Sequence, residues 1–81
     1  MDNQEIKITP TEFFLLQELV ISAGKTLTHT YLLRSIWGQE YQDERQYLHV
    51  FIRSLRTKLG LKHEGRGTIE SIAGVGYRFN A

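Results

Sequence analysis

Three stretches of the chain carry apolar residues at helical spacing. Each opens on a capping residue and closes on glycine, which is helix punctuation. The first runs from Thr9 to about Ala23. Thr9 and Glu12 stand at capping-box spacing, Pro10 takes the first helical position, where its missing N–H costs nothing, and Gly24 follows the end. Phe13, Leu16, Leu19 and Val20 form one stripe along it and are the expected core. The second opens at Thr28 and closes at Gly38, about two and a half turns long, with Leu32, Leu33, Ile36 and Trp37 as its apolar set. The third opens at Asp43 or nearby, with Gln46 three residues on from Asp43 as a box partner, and ends at Leu59 before Gly60.

After Gly60 the period changes. A polar, glycine-containing loop, "LKHEGRGT", leads into "IESI", then "AGVG", then "YRFN": two short β-prone runs around a glycine turn. These predict a terminal hairpin, a wing over about residues 69–79. The alternating segment "EIKI", Glu5 to Ile8, predicts one more short strand, pairing with the hairpin in a small sheet. Three helices followed by a hairpin make an α+β chain on the winged helix-turn-helix plan.

The third helix, about residues 44–59, can be divided by face. At about 100° per residue, Leu48, Ile52, Leu55 and Leu59 fall on one line and face the core. The opposite side carries Gln46, Val50, Arg53 and Thr57, flanked by His49 and Arg56 on one edge and by Ser54 and Lys58 on the other. Apart from Val50, each can hydrogen-bond base edges or phosphates. Val50 centred among donors suits a major groove, where it can touch thymine methyl groups. Taken alone, the helix is equally compatible with a stray surface valine.

Composition adds limits. Eighty-one residues, 41% hydrophobic and 23% charged, suffice for one small domain spanning 1–81 and not for two. There is no cysteine, so no disulfide assists the core, which fits a reducing compartment. The most apolar run, "FFLLQELVIS", is broken by Gln17 and Glu18 and too short to span a bilayer, and no signal-like segment opens the chain; the expectation is a cytoplasmic protein with no membrane partner. The net charge of +1 conceals an asymmetry. Residues 1–44 hold three Lys/Arg against seven Asp/Glu, a balance of −4, and residues 45–81 hold seven against two, a balance of +5. A basic second half suits a polyanion, and a solvated basic face accounts for it equally well on charge alone.

The phrases "TPTEFFLLQELVISAGKTLTHTYLLRSIWG", "VFIRSLRTKLG" and "IAGVGYRF", in that order, resemble the C-terminal effector domain of OmpR/PhoB-type response regulators, from Ile8 to Phe79. Within that family "QYLHVFI" most resembles the potassium-responsive KdpE branch. The resemblance implies the effector domain of a bacterial two-component (phosphorelay) regulator. It implies sequence-specific binding of double-stranded DNA through the third helix and wing, as a head-to-tail pair on direct repeats. It assigns base-facing roles to His49, Val50 and Ser54, and phosphate-facing roles to Gln46, Phe51, Arg53 and Arg56, with Thr57 beside them. His29 and Trp37 reach the backbone from the second helix, and Ser71, Ala73 and Gly74 form the wing contact. Size and position also suit Phe51 and Trp37 to packing, with the Trp37 indole N–H left for one phosphate. The 39–44 loop corresponds to the segment that contacts RNA polymerase in this family, and its acidity suits a solvated loop as well.

Three departures qualify the resemblance. Ser54 stands where many members have a basic residue, which should weaken or redirect direct readout. Ala73 stands where many place a minor-groove arginine. Of the family's N-terminal sheet only "EIKI" is present, and its phosphoacceptor receiver domain is not, so the chain is expected to be an effector domain, monomeric in dilute solution and paired on DNA. An enzyme reading finds little footing. His29, His49 and His63 lack metal-ligand spacing, and Gly74 to Gly76 leads into a strand without the third glycine or lysine of a phosphate loop. No catalytic group, metal or cofactor is therefore expected. The remaining rival is a winged helix that binds protein, which would not need a polar third helix flanked by arginines.

Overall fold

The computed structural model describes residues 7–61 and 65–81. Its elements follow in the order α1 (Pro10–Ile21), β1 (Thr26–Thr28), α2 (His29–Ile36), α3 (Arg45–Leu59), β2 (Thr68–Ile72) and β3 (Gly76–Asn80). Three helices pack against an antiparallel sheet of strand order β1-β3-β2, an α+β winged helix.

The first cap forms as the sequence predicts. The Thr9 side chain accepts from the Glu12 N–H, the Glu12 carboxylate accepts from the Thr9 N–H, and Pro10 opens α1. The buried face of α1 differs from the expected stripe. Leu15 and Leu19 enter the core with Glu12, whereas Phe13 and Val20 are exposed and Leu16 is half-buried. The run "FFLLQELVI" is apolar on nearly every side, so its periodicity does not select a face; the inward pull on Glu12 does.

In α2 the Thr28 side chain accepts from the Tyr31 N–H, and Leu32 and Leu33 are buried while Ile36 and Trp37 pack at the core's edge. α3 buries Leu48, Ile52 and Leu55, with Leu59 half-buried at its end, as its period requires. Each fully buried leucine contributes about 1.5–3 kcal/mol. The predicted Asp43 cap does not form. Glu44 stands at the N-cap without a side-chain cap bond, its carboxylate turned back to accept from the Gln42 and Asp43 N–H groups. Gly60 ends the helix in the left-handed conformation, with the Leu61 N–H donating to the Arg56 carbonyl at 2.9 Å.

The hairpin forms with Ser71 opposite Tyr77 and Ile72 opposite Gly76. Among the described residues the sheet's third strand is β1: Thr26, Leu27 and Thr28 pair with Arg78, Tyr77 and Gly76. Lys7 and Ile8 form no strand, and Glu5 and Ile6 lie outside the described residues, as does His63 in the predicted loop. Gly76 is glycine because β1 crosses it closely. A Cβ there would lie 1.8 Å from the Leu27 carbonyl oxygen, which no side chain allows.

Candidate nucleic-acid interface

α3 turns its second face outward. Gln46, His49, Val50, Arg53 and Thr57 are all exposed, and Val50 at the centre is 60% accessible. His49, Arg53, Arg56 and Thr57 line an open depression of about 350 Å³ on this side of the helix. Such a strip offers two imidazole nitrogens, a guanidinium, an amide and a hydroxyl around one apolar patch.

The flanking residues are engaged within the protein. Ser54 is half-buried, and its hydroxyl donates to the Glu12 carboxylate. Lys58 donates to the same carboxylate at 2.8 Å, and the Thr9 N–H donates at 2.9 Å. Burial alone would push the Glu12 pKa up; Lys58, Ser54 and the Thr9 N–H outweigh it and hold the carboxyl at about 2. The Arg56 Nε donates to the Ile69 carbonyl at 3.0 Å, and Nη2 donates to that carbonyl and, at 3.1 Å, to the Ser71 hydroxyl. Burial pulls its pKa below the ordinary arginine value, without removing its charge at neutral pH. Of the groups on the outer face and its edges, Ser54, Arg56 and Lys58 are thus tied to α1 or β2.

The residues assigned to α2 also pack inward in part. The Trp37 ring lies 5.4 Å from Phe51 and 5.8 Å from Tyr47, centroid to centroid, and Tyr41 lies 6.1 Å from Tyr47. This aromatic group seats the connection between α2 and α3, and Phe51 belongs to it and to the core's edge. Sequence reading missed Tyr41 and Tyr47; their spacing to Trp37 was the available signal. His29 sets its ring edge-on to Tyr77 at 5.7 Å, its Nδ1 is buried without a hydrogen-bond partner, and its backbone N–H donates to the Val75 carbonyl at 3.1 Å. Burial, with the charge of Arg45 added, holds its pKa below the ordinary histidine value.

At the wing, Ala73, Gly74 and Val75 form the exposed turn, with Gly74 at φ 74° and the Val75 N–H donating to the Ile72 carbonyl at 2.9 Å. Only glycine takes that φ without strain. Below the tip, Arg78 and Glu70 pair at 2.8 Å. In the 39–44 loop, Gln39, Glu40, Gln42 and Asp43 are exposed, and Arg34 donates to Gln42 at 2.8 Å. Among the described residues no group of three or more His, Asp or Glu is placed to hold a metal ion, and no helix is long and apolar enough to cross a membrane.

Comparison with known proteins bears on this arrangement. The family model described as "Transcriptional regulatory protein, C terminal" matches residues 3–79. The transcriptional regulatory protein KdpE of Mycobacterium tuberculosis is 36% identical over 80 residues, 99% of this chain and 35% of its own length. The regulatory protein VanRB of Enterococcus faecalis is 39% identical over 77 residues, 95% of this chain and 33% of its own. The chain therefore spans about a third of the length of these curated relatives. Among solved structures, the DNA-binding domain of Klebsiella pneumoniae RstA in complex with the RstA box superposes with a TM-score of 0.80 at 26% identity, covering 96% of this chain and 77% of that one. The DNA-binding domain of Bacillus subtilis CssR gives 0.77 at 28% identity, covering 95% and 83%.

Proposed function

Because the chain belongs to the family of C-terminal domains of transcriptional regulatory proteins, of the OmpR/PhoB type, a class of regulators and not of enzymes, we propose that it binds double-stranded DNA sequence-specifically as the effector domain of a two-component response regulator. In this reading α3 enters the major groove and the β2–β3 turn lies near the minor groove. The observation that carries it is the outer face of α3, where every exposed side chain around Val50 can hydrogen-bond a base or a phosphate. The likeness to an RstA DNA-binding domain solved in complex with the RstA box supports the binding of double-stranded DNA.

His49 and Val50 take the base-facing roles, and Ser54 contributes only where its hydroxyl leaves Glu12. Gln46, Arg53 and Thr57 take phosphates, and Arg53 is the strongest candidate because it is exposed and has no protein partner among the described residues. His29 and Trp37 reach the backbone from the two ends of α2, and Gly74 offers its N–H at the wing. The reading extends to a cytoplasmic, two-component setting, to pairing on DNA in the full-length protein, and to contact with RNA polymerase through the 39–44 loop, whose exposed acidic residues support it.

The test is a salt titration. Sites selected from random duplexes are measured by fluorescence anisotropy, and log Kd should change with log salt by a slope of about 0.9 per phosphate contacted. A protein-binding winged helix would instead give weak, non-saturating association with every duplex.

A further inference from the structure

Arg56 lies between the outer face of α3 and the hairpin. Among the described residues β2 is an edge strand of the sheet, and an edge leaves a row of carbonyls without strand partners. The Ile69 carbonyl takes its donors from Arg56, whose Nε and Nη2 both reach it, and Nη2 also reaches Ser71. Three of the five guanidinium N–H groups therefore point into the protein. The other side-chain hydrogen bonds of the hairpin reach no helix: Arg78 bonds Glu70 and Asn80, Asn80 bonds Thr68 and Glu70, and the Thr68 hydroxyl donates to the Gly65 carbonyl just before β2. Among the described residues, Arg56 alone bonds α3 to the hairpin through its side chain, and it does so at Ser71, two residues before the exposed turn that begins at Ala73.

We propose that Arg56 is a positioning residue: a strut that fixes the wing against the outer face of α3, so that helix and wing meet a duplex as one preorganised surface, with the phosphate role left to Arg53. The proposal rests on the DNA-binding reading above. Its physical basis is that a surface ordered before binding loses less entropy on binding. The planar fork of an arginine can hold one carbonyl by two N–H groups and a hydroxyl by a third; a lysine ammonium, a point charge on a flexible stem, cannot reproduce that geometry.

The experiment compares Arg56→Lys, Arg56→Met, Ser71→Ala and Arg53→Met with the unaltered 81-residue domain. Anisotropy is measured over a range of salt on two duplexes: the selected site with its full flank, and the same site cut back on the wing side. On the full duplex a strut makes Arg56→Lys lose as much affinity as Arg56→Met, on the order of tenfold, the scale of one charge-assisted hydrogen bond. Ser71→Ala loses part of that factor, and all three keep the salt slope of the unaltered domain. On the shortened duplex all three bind as the unaltered domain does, because the wing has nothing to meet. Arg53→Met loses affinity on both duplexes and lowers the slope by about 0.9.

Four results would overturn the strut: Arg56→Lys retaining affinity that Arg56→Met loses, a slope lowered in Arg56→Met, Ser71→Ala without effect, or equal losses on the two duplexes. Denaturant titration checks that each variant folds. If the Arg56 variants do not, Ser71→Ala, which alters an exposed hydroxyl, decides on the two-duplex comparison alone. No saturable binding by the unaltered domain would overturn the DNA reading and the strut with it, whereas normal binding with the loss pattern of a phosphate ligand would overturn the strut only.

Discussion

Glu12 is 2% accessible, and its carboxylate takes three donors, the Thr9 N–H at its own cap and the Ser54 and Lys58 side chains of α3. A carboxyl held at about 2 in the folded state, against an ordinary 4.5, stabilises the fold wherever it is ionised. That contribution is complete above about pH 4.5 and is lost as pH falls through about 2, with a size of about 3 kcal/mol by linkage. Urea unfolding between pH 6 and pH 2 should therefore show the unaltered domain losing stability steeply below pH 4.5. Glu12→Gln should be less stable at pH 7 and flatter across that window, and parallel curves would disprove the assignment. Val50 makes the opposite case, an apolar group left in water at 60% accessibility. Val50→Ser should weaken a thymine-containing site by about 1 kcal/mol, the low end of a base contact. On the same site with uracil in place of thymine, variant and unaltered domain should converge. Thermal unfolding should barely move, and equal losses on both sites would remove the thymine contact.

Each element was legible in the sequence to the extent that a local rule governs it. The Thr9–Glu12 box, the stripe of α3 and the hairpin all follow from capping, period and turn chemistry. The face of α1 did not, because an all-round apolar helix is oriented by its partners, here the Lys58 ammonium and Ser54 hydroxyl of α3. Nor did β1, since three residues are too few to show a period, and its identity depends on what β3 presents 48 to 52 residues later in the register Thr28↔Gly76 and Thr26↔Arg78. The one local trace of that pairing was Gly76. Gly76→Ala would set a Cβ against the Leu27 carbonyl at 1.8 Å, and neither backbone can withdraw without breaking the β1–β3 ladder. Denaturant unfolding should show a loss of at least about 3 kcal/mol, in the range of severe core disruptions. A loss below about 1 kcal/mol, the ordinary value for a point change, would mean that β1 is free to move away.

For the molecule as a whole, the charge asymmetry of the sequence overstates the basic surface. Lys58 is neutralised by Glu12, and Arg56 is turned onto β2. Sequence reading counted both toward the polyanion because pairing across elements leaves no local mark; Arg53 is what remains exposed on the outer face of α3. The wing is likewise short of charge. Ala73 begins an exposed turn whose other members are Gly74 and Val75, so the tip offers a duplex backbone N–H groups and a valine but no cation. If the turn lies over the minor groove, Ala73→Arg supplies both charge and reach. Affinity should then rise, most of all for sites whose flank is A·T-rich, because narrow A-tract grooves concentrate negative potential and attract arginine. The added phosphate-scale contact should steepen the salt slope by roughly 0.9. Anisotropy on paired duplexes that differ only in the flank, at several salt concentrations, measures both effects. Because residue 73 is exposed, the substitution should leave folding intact, so unchanged affinity and slope on both flanks would place the tip away from the groove and require a different orientation of the wing on DNA.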